Sequence, residues 1–494
     1  MKTTAFRPGM SMIASILLVL VILSAGPPPA LGQGIGEEVK DVPIPKGVDV
    51  FNLNLEQTKT FSRSKNFEVL GHSYFKVPDR TQFAKDNGLG CGFNTARVHK
   101  GIALLGGYNN PPTCLGIVIA DVSDPQNMKA LTFIPCKLGT RCNYLRWNTI
   151  RNILVFGSSR SADNPNQPQP LGTPTDSGWS FWNVSDPKNP KLLSHLSIMP
   201  NGTTHGMEID DRYLYGCGQN AGGGVIRQDE LQIIDYRNPS APIQVSSLHI
   251  QGQRGGEAYA PQDQKNPNGS NQVISCHEIT VHKDRLYVAY RDAGMVIVDV
   301  ADRSNPKIIS RLDYVPPFNG GRLGAAHTSA PVILDPDKQP TLLVHTDEIF
   351  ECPPGFGRLI DISDLSNPQI ISSYRLPHVD DNFDFTTGKF VCPAGQQSIH
   401  LPWFDFRSPT LFYQAWYDQG VRVWDASNPF LPREVGFYLS PKYASPGRVD
   451  RHTREVFQDP DTGLIYATDG NGGGLTVLRW TGPIPPKRPI PGAR

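Results

Sequence analysis

The chain has 494 residues, and its composition excludes several classes of protein. Lys and Arg together number 47 against 46 Asp and Glu, so the formal net charge of +1 gives no support to a nucleic-acid binder held by a basic field. Hydrophobic residues make up 38% and charged residues 19%, which is typical of a globular chain. The 47 Gly and 45 Pro favour many short strands joined by turns.

Residues 1–32 have the pattern of an export signal peptide. Lys2 and Arg7 supply the positive charge, residues 13–25 form an apolar run, and residues 30–32 provide a small-residue cleavage site. The apolar run is shorter than the ~20 residues that a membrane-spanning helix needs. We therefore expect a mature protein that is secreted, periplasmic or at the cell surface, with no transmembrane domain after cleavage. Retention of the signal as a membrane anchor is the alternative.

A repeat occupies most of the remaining chain. Each copy is an apolar strand that ends in an acidic or amide marker residue, then a turn with Asn-Pro or Asp-Pro, then a second strand. The marker residues are Asp121, Asn183, Asp235, Asp299, Asp361 and Asp425. Differences between consecutive marker numbers are 62, 52, 64, 62 and 64, which fit a four-stranded propeller blade with loop insertions.

The two ends of the repeat region complement each other. Residues 67–76 look like an outer strand without inner strands, and a last copy ending at Trp480 has inner strands without an outer one. We therefore predict an all-β fold: a single seven-bladed β-propeller over residues 67–480, whose N-terminal strand closes the last blade and removes an exposed sheet edge. Residues 33–66 are expected to form a leader on its surface, and residues 481–494 an extended Pro-rich tail.

The strings MVIVDVADRSNP, LQIIDYRNPSAP and VRVWDASNP resemble the LVIVD repeat of exported bacterial and archaeal β-propellers. The resemblance covers nearly the whole mature chain and implies the propeller architecture. It implies little about activity, because propellers carry unrelated functions. The second unit departs from the pattern, since it has Asn183 at the marker and a Pro-rich insertion before it.

Strand order in a propeller blade separates the loops by face. With strands named a to d from the axis outwards, the d–a and b–c loops share one face, which we name the upper face. The long insertions and all eight cysteines map to this face, which suits binding loops held by disulfides in an exported protein. The predicted disulfides are Cys91–Cys114, Cys136–Cys142, Cys217–Cys276 and Cys352–Cys392.

Histidines recur at the predicted start of the a strands, which line the propeller axis. The five are His205, His277, His327, His400 and His452. Asn94 and Asn143 occupy the equivalent positions in the first two blades. We expect these side chains to meet at the upper mouth of the central channel.

Acidic residues are expected near the same place. Candidate ligand-binding residues are the two asparagines and the acids that end the b strands, Asp292, Asp347, Asp418 and Asp469. Glu278, next to His277, is the candidate catalytic acid–base. Imidazoles with carboxylates are ligands of Zn, Cu, Fe or Mn, so one divalent transition metal is a candidate cofactor. Alternatively, the polar ring only joins neighbouring blades, and Asp before Gly only makes turns.

Two functions stay open at this point. The first is an exported binding or scaffolding protein that docks a surface or periplasmic partner (a protein, glycan or small molecule) on its upper face. The second is a metal-dependent oxidase or hydrolase whose histidine ring holds the ion at the axis. Propellers of the selenium-binding (methanethiol oxidase) family are similar in that histidines near the axis hold metal.

Overall fold

The computed structural model describes residues 33–108, 113–137, 139–142, 144–160, 176–200, 202–219, 229–254, 257–258, 273–313, 326–350, 352–377, 383–384, 386–387, 389–392, 395, 397–442, 444–445, 448–449 and 451–486. The expected signal peptide, Asn143 and most of the long upper insertions lie outside these residues. Within the described ranges, no helix combines the length and the apolar character needed to cross a membrane.

Seven antiparallel sheets, here blades 1 to 7, follow one another along the described chain. The a strands are, in blade order, Phe93–His99, Leu145–Asn148, Thr204–Ile209, Glu278–His282, Ala326–Pro331, Ile399–Asp405 and Thr453–Gln458. The b strands are Ile102–Gly107, Ile153–Arg160, Tyr213–Gly218, Arg285–Ala289, Leu342–Asp347, Ser408–Trp416 and Ile465–Asp469.

The outer half of each blade is made of a c and a d strand. The c strands are Gly116–Asp121, Asp176–Asn183, Glu230–Asp235, Met295–Asp299, Gly357–Asp361, Gly420–Asp425 and Gly474–Trp480. The d strands are Lys129–Pro135, Lys191–Pro200, Ile243–Leu248, Lys307–Leu312, Gln369–Arg375, Arg433–Leu439 and, for blade 7, Phe67–Ser73.

Closure of the ring is as predicted. The d strand of blade 7 comes from the N-terminal side of the chain and pairs antiparallel with the last c strand, with Phe67 opposite Trp480. The two rings pack edge to face with centroids 5.1 Å apart. Because the a strand of blade 7 also packs against that of blade 1, the all-β seven-bladed propeller is confirmed.

Smaller elements decorate the ring. The short strands are Gln33–Ile35, Arg63–Lys65, Thr140–Arg141, Phe383–Asp384, Lys389–Phe390, Ala444–Ser445 and Arg448–Val449, and the helices are Leu55–Phe61, Gln82–Asp86 and the 3-10 turn Tyr417–Gln419. The first two short strands pair with the d strands of blades 5 and 6. The leader segment therefore covers the outer edges of these two blades.

The marker turns and the disulfides hold the blades as the sequence indicates. The Asp121 carboxylate accepts a hydrogen bond from the N–H of Ser123 at 3.0 Å, and Asp361 accepts one from Ser363 at 2.8 Å. Both are Asx-type turns. All four predicted cysteine pairs form, and no described cysteine is free.

Candidate metal centre in the central channel

The pairing between strands a and b is irregular at the upper ends of several a strands, where predicted site residues lie. In blades 1, 3, 5 and 6 the pairing between strands a and b skips a stretch that contains Asn94, His205, His327 or His400, respectively. A bulge of this kind leaves a residue outside the ladder and redirects its side chain. Since the bulge recurs in equivalent places, it presents these side chains to the same region of the channel.

The histidines form a chain of ring contacts at the upper mouth. Centroid distances are 3.9 Å from His205 to His277, 4.3 Å from His277 to His327 and 4.1 Å from His327 to His400. His452 is separated from this group by Tyr417, whose ring lies 4.9 Å from His400 and 4.5 Å from His452. The structure thus brings four predicted histidines into direct succession and places the fifth behind a tyrosine.

Glu348 lies at the centre of this cluster, although the sequence analysis did not identify it as a site residue. Its carboxylate oxygens lie 3.8 Å from Nε2 of His277, 3.9 Å from Nε2 of His327 and 3.8 Å from Nε2 of His400. It follows directly after the b strand of blade 5, which ends at Asp347. The string HTDE was the one available signal, since acids that follow b strands point to the upper face.

Two further residues hold Glu348 in place. Arg291 donates a hydrogen bond to Oε2 at 2.9 Å, and the Tyr417 hydroxyl donates to Oε1. Tyr417 in turn accepts a hydrogen bond from Arg454 at 2.6 Å. Charge-assisted bonds of this kind fix the orientation of a carboxylate. The position of Glu348 is therefore set by three blades rather than by its own loop alone.

The cluster is in the protonation state that metal binding requires. Burial lowers the pKa of His327 to about 3 and holds those of His277 and His400 well below their ordinary value. Burial alone would raise the pKa of Glu348, but His327 and the guanidinium of Arg291 hold it well below its ordinary value. At neutral pH the imidazoles are therefore neutral and the carboxylate is ionised, as in metal ligands.

Hydrogen bonds to Nδ1 leave the Nε2 lone pairs available. Nδ1 of His400 contacts the Arg454 carbonyl, and Nδ1 of His327 lies 2.7 Å from the Thr328 hydroxyl. Such contacts orient metal-binding histidines. Among the described residues, Nε2 of His327 and of His400 and both ring nitrogens of His277 have no hydrogen-bond partner. Unpartnered buried polar atoms are costly, so this donor set fits a bound cation.

Two overlapping ligand sets are close enough for an ion. Ligand atoms of His277, His327 and Glu348 lie within 4.8 Å of one another, as do those of His205, His277 and Glu278. Around a tetrahedral ion with bonds of about 2.0–2.1 Å, ligand atoms are separated by about 3.3 Å. The limit of 4.8 Å exceeds this separation by about 1.5 Å, so side-chain shifts of at most that size complete the first set. Nε2 of His400 lies 3.8 Å from the other oxygen of the same carboxylate.

The other predicted ligand residues make contacts of their own. Hydrogen-bond partners of Asp292, Asp347, Asp418 and Asp469 are, in that order, the N–H of Val273 (2.9 Å), the guanidinium of Arg358, the side-chain amide of Gln397 (3.2 Å) and the N–H of His452 (2.7 Å). These contacts hold loops and strand starts at the upper face. Their role in ligand binding stays a prediction.

Asn94 lies beside the histidine chain, since its side-chain oxygen accepts a hydrogen bond from Nε of Arg454 at 2.7 Å. Asn143 lies outside the described residues. Glu278 is buried, with Oε1 4.0 Å from Nδ1 of His205. Burial raises the pKa of Glu278 to about 8, so this carboxyl can hold or release a proton near neutral pH.

We name the five predicted histidines and the two predicted asparagines the upper tier. A second group of channel residues, the lower tier, follows three positions later in each blade. Its members, from blade 1 to blade 7, are Arg97, Arg146, Glu208, Thr280, Ala330, Trp403 and Glu455. They line a cavity of about 410 Å³ that extends towards the lower face, and Glu278 borders it as well. The residue types of this tier do not repeat from blade to blade, so the repeat pattern of the sequence does not reveal it.

Fold and channel together define a β-propeller with an axial cluster of histidines. The model of the LVIVD repeat matches residues 275–313, which contain blade 4, and residues 358–375, which contain most of the outer half of blade 5. The predicted resemblance to LVIVD-repeat propellers is therefore confirmed by these segments. Among curated proteins, none matches this chain in sequence.

Similar solved structures share low sequence identity with the chain. They include the Myceliophteria thermophila Cps50 (Swd1) β-propeller domain (11% identity, 84% of this chain and 99% of that one, TM-score 0.48), Chaetomium thermophilum Sqt1 bound to the N-terminus of ribosomal protein L10 (12%, 79% and 84%, 0.46) and the computationally designed Ika8 protein (11%, 79% and 96%, 0.42). Similarity at this level does not bear on function, so the site is interpreted from its own geometry.

Proposed function

We propose that this protein is an exported metal-dependent propeller enzyme that holds one divalent transition metal at its axis through His277, His327, His400 and Glu348. The observation that carries the proposal is the convergence of three Nε2 atoms, from three adjacent blades, to within 3.8–3.9 Å of one carboxylate. Four disulfides support a place outside the cytoplasm, where such bonds persist.

The surrounding residues suit oxidase or hydrolase chemistry. A metal bound there supplies a Lewis acid or a redox centre, depending on its identity. Tyr417 and Arg291 keep the Glu348 carboxylate ionised and aimed at the imidazoles. Glu278 lies on the cavity side of the cluster with an Oε1 atom that has no hydrogen-bond partner among the described residues. It is therefore the group we assign to proton transfer with a substrate.

Elemental analysis of the purified, disulfide-bonded protein tests the metal proposal. After incubation with Zn, Cu, Fe or Mn salts and removal of excess metal, the wild type should retain about one ion per chain of at least one of them. The double variant His277→Ala/His400→Ala should retain less than a tenth of that. The variant Glu348→Gln keeps the side-chain shape and should also lose most of the metal, which separates ligand loss from misfolding.

His99→Ala is the matched control. His99 lies at the lower end of the a strand of blade 1 and pairs with Asp461 at 2.9 Å. This variant should retain metal like the wild type. No stoichiometric metal in the wild type, or equal metal content in the wild type and the double variant, would contradict the proposal.

A second candidate function is docking of a partner on the upper face. It is favoured by the four disulfides, which all join segments of that face as predicted. Phe350, 46% exposed, also stands there against Tyr417, with ring centroids 5.3 Å apart. Immobilised protein should retain a protein, glycan or other envelope component, and Phe350→Ser should reduce retention. Equal retention by the wild type and Phe350→Ser would count against this surface.

A further inference from the structure

The lower half of the channel contains a cavity that is lined by none of the four proposed metal ligands. Its volume is about 410 Å³, and residues of all seven a strands line it. It continues down to the turns between strands a and b of blades 6 and 7, where Phe406 is half exposed. Cavities of about 300–1,000 Å³ are the usual size of small-molecule sites.

One side of the cavity is lined by charged residues that pair with one another. Arg97 pairs with Glu455 at 2.9 Å, and Arg146 pairs with Glu208 at 3.1 Å. Each guanidinium also donates to a backbone carbonyl, that of the preceding residue. Because each positive charge has a carboxylate partner, these four residues leave no net charge for an ionic ligand to neutralise.

The rest of the wall is largely apolar and adjoins the ionic side, since the Arg97 guanidinium lies 5.2 Å from the Trp403 ring centroid and 5.4 Å from that of Phe457. Ile279, Pro331, Leu401, Trp403 and Phe457 contribute to it, from blades 4 to 7. The Trp403 and Phe457 rings pack with centroids 4.7 Å apart. A wall of aliphatic and aromatic side chains favours a flat apolar body, since contact area with such rings is the main source of binding energy for small ligands.

Glu278 borders the cavity and directly follows His277 of the upper tier. It is 2% exposed, and its carboxyl interacts with the Tyr144 hydroxyl. Neither Oε1 of Glu278 nor this hydroxyl has a hydrogen-bond partner in bonding geometry among the described residues. A buried carboxyl oxygen of this kind is satisfied by a ligand hydroxyl, which can both donate and accept a hydrogen bond.

From this arrangement we infer that the lower channel is a binding site for a small uncharged aromatic molecule that carries a hydroxyl group. The apolar body lies against Trp403 and Leu401, and the hydroxyl points up to Glu278. The ligand enters from the lower face, opposite to the disulfide-bonded loops. The inference does not depend on the metal, so it is tested on protein freed of metal by a chelator.

Equilibrium dialysis with 2-naphthol, a fluorescent phenol-like probe, measures the site. The wild type should bind it with a Kd of about 0.1 mM, as expected for a ligand of this size. The analogue 2-methoxynaphthalene has no hydroxyl to donate, and 2-naphthoate carries a charge. Both should bind at least five-fold more weakly. Equal or tighter binding of either analogue would overturn the assignment of an uncharged hydroxyl ligand.

Two variants and one control place the probe in the cavity. Ala330→Leu adds bulk to the wall, and Trp403→Ala removes the aromatic surface, so each should weaken 2-naphthol binding at least five-fold. Ile150→Ser removes an apolar side chain, 78% exposed, from the lower turn of blade 2, and should leave Kd unchanged within two-fold. Circular dichroism checks that the variants fold. Wild-type affinity in both folded cavity variants, or no binding by the wild type at 2 mM probe, roughly twenty times the expected Kd, would overturn the inference.

Discussion

The upper and lower tiers of the channel are three residues apart in the sequence of each blade but differ in how their polar groups are satisfied. In the lower tier, Arg97 and Arg146 have carboxylate partners within the protein. In the upper tier, the Nε2 atoms of His327 and His400 have no hydrogen-bond partner among the described residues. The repeat therefore determines where these side chains lie. Whether their polar groups need a ligand depends on the hydrogen-bond and ion-pair partners that neighbouring blades supply.

Replacement of histidines in the upper tier should have the largest effect, because it removes proposed metal ligands. The double variant His327→Asn/His400→Asn should weaken metal binding at least 10³-fold, because two of three imidazoles are lost. Metal titration by isothermal calorimetry measures the change. The same variant should still bind 2-naphthol in the lower cavity. Loss of both metal binding and 2-naphthol binding would show that the two tiers are not separate sites.

The ion pairs of the lower tier should matter for stability. Glu455→Gln leaves the guanidinium of Arg97, which is 7% exposed, without its charged partner. Loss of one partner of a buried pair costs about 3–5 kcal/mol in the free energy of unfolding. Glu68→Gln is the control, since its pair with Arg479 is exposed and worth about 1 kcal/mol or less. Denaturant unfolding compares the two variants, and similar losses would show that the lower-tier pair is not effectively buried.

Glu278 should make stability depend on pH. Burial raises the pKa of its carboxyl from the ordinary value of 4.5 to about 8. The folded state therefore binds this proton more tightly than the unfolded state. The contribution of the bound proton to the free energy of unfolding is complete below pH 4.5 and is lost as the pH rises to 8. Glu278→Gln has no carboxyl at this position and should not lose stability in this way. The free energy of unfolding of Glu278→Gln relative to that of the wild type should therefore increase between pH 5 and 8, by about 2 kcal/mol or more.

Chemical unfolding of the metal-free proteins across this pH range gives the comparison. Glu56→Gln, an exposed helix position, serves as the control and should parallel the wild type at every pH. Parallel curves for the wild type and Glu278→Gln would show that Glu278 ionises normally in the folded protein.

The smallest expected effect concerns the tyrosine that orients Glu348. Tyr417→Phe removes the hydroxyl that donates to this carboxylate and accepts from Arg454, while the ring between His400 and His452 remains. Loss of such an outer contact typically costs about ten-fold or more in metal affinity. Metal affinity measured by competition with a chelator should fall by about that factor. An unchanged affinity would show that Arg291 alone orients Glu348.

Much of the architecture was predictable because it is periodic. Marker residues such as Asp121 and Asp361 make the same turn in successive blades, so their spacing gives the number of blades. The unpaired strands at the two ends, now joined at Phe67 and Trp480, gave the closure. Cysteine pairs followed once the loops had been assigned to one face. The periodic residues therefore predict the number of blades and the closure of the ring.

The centre of the site was less predictable because it breaks the period. Glu348 directly follows the b strand of blade 5, and no other blade has an acid at that position. Tyr417 is not distinctive in the repeat, since a tyrosine also directly follows the b strands of blades 1 and 4. Glu348 meets the histidines only through packing of three blades. The reverse holds for Asp292 and Asp469, which repeat well but bind backbone N–H groups of nearby segments. Recurrence alone does not separate a turn residue from a ligand.

X-ray absorption spectroscopy of the metal-loaded wild type measures the ligands of the proposed metal site directly. We expect a first shell with three imidazole nitrogens at about 2.0–2.1 Å and at least one oxygen, with imidazole scattering reduced in His277→Ala. A first shell made only of oxygen, or a spectrum unchanged in His277→Ala, would contradict it.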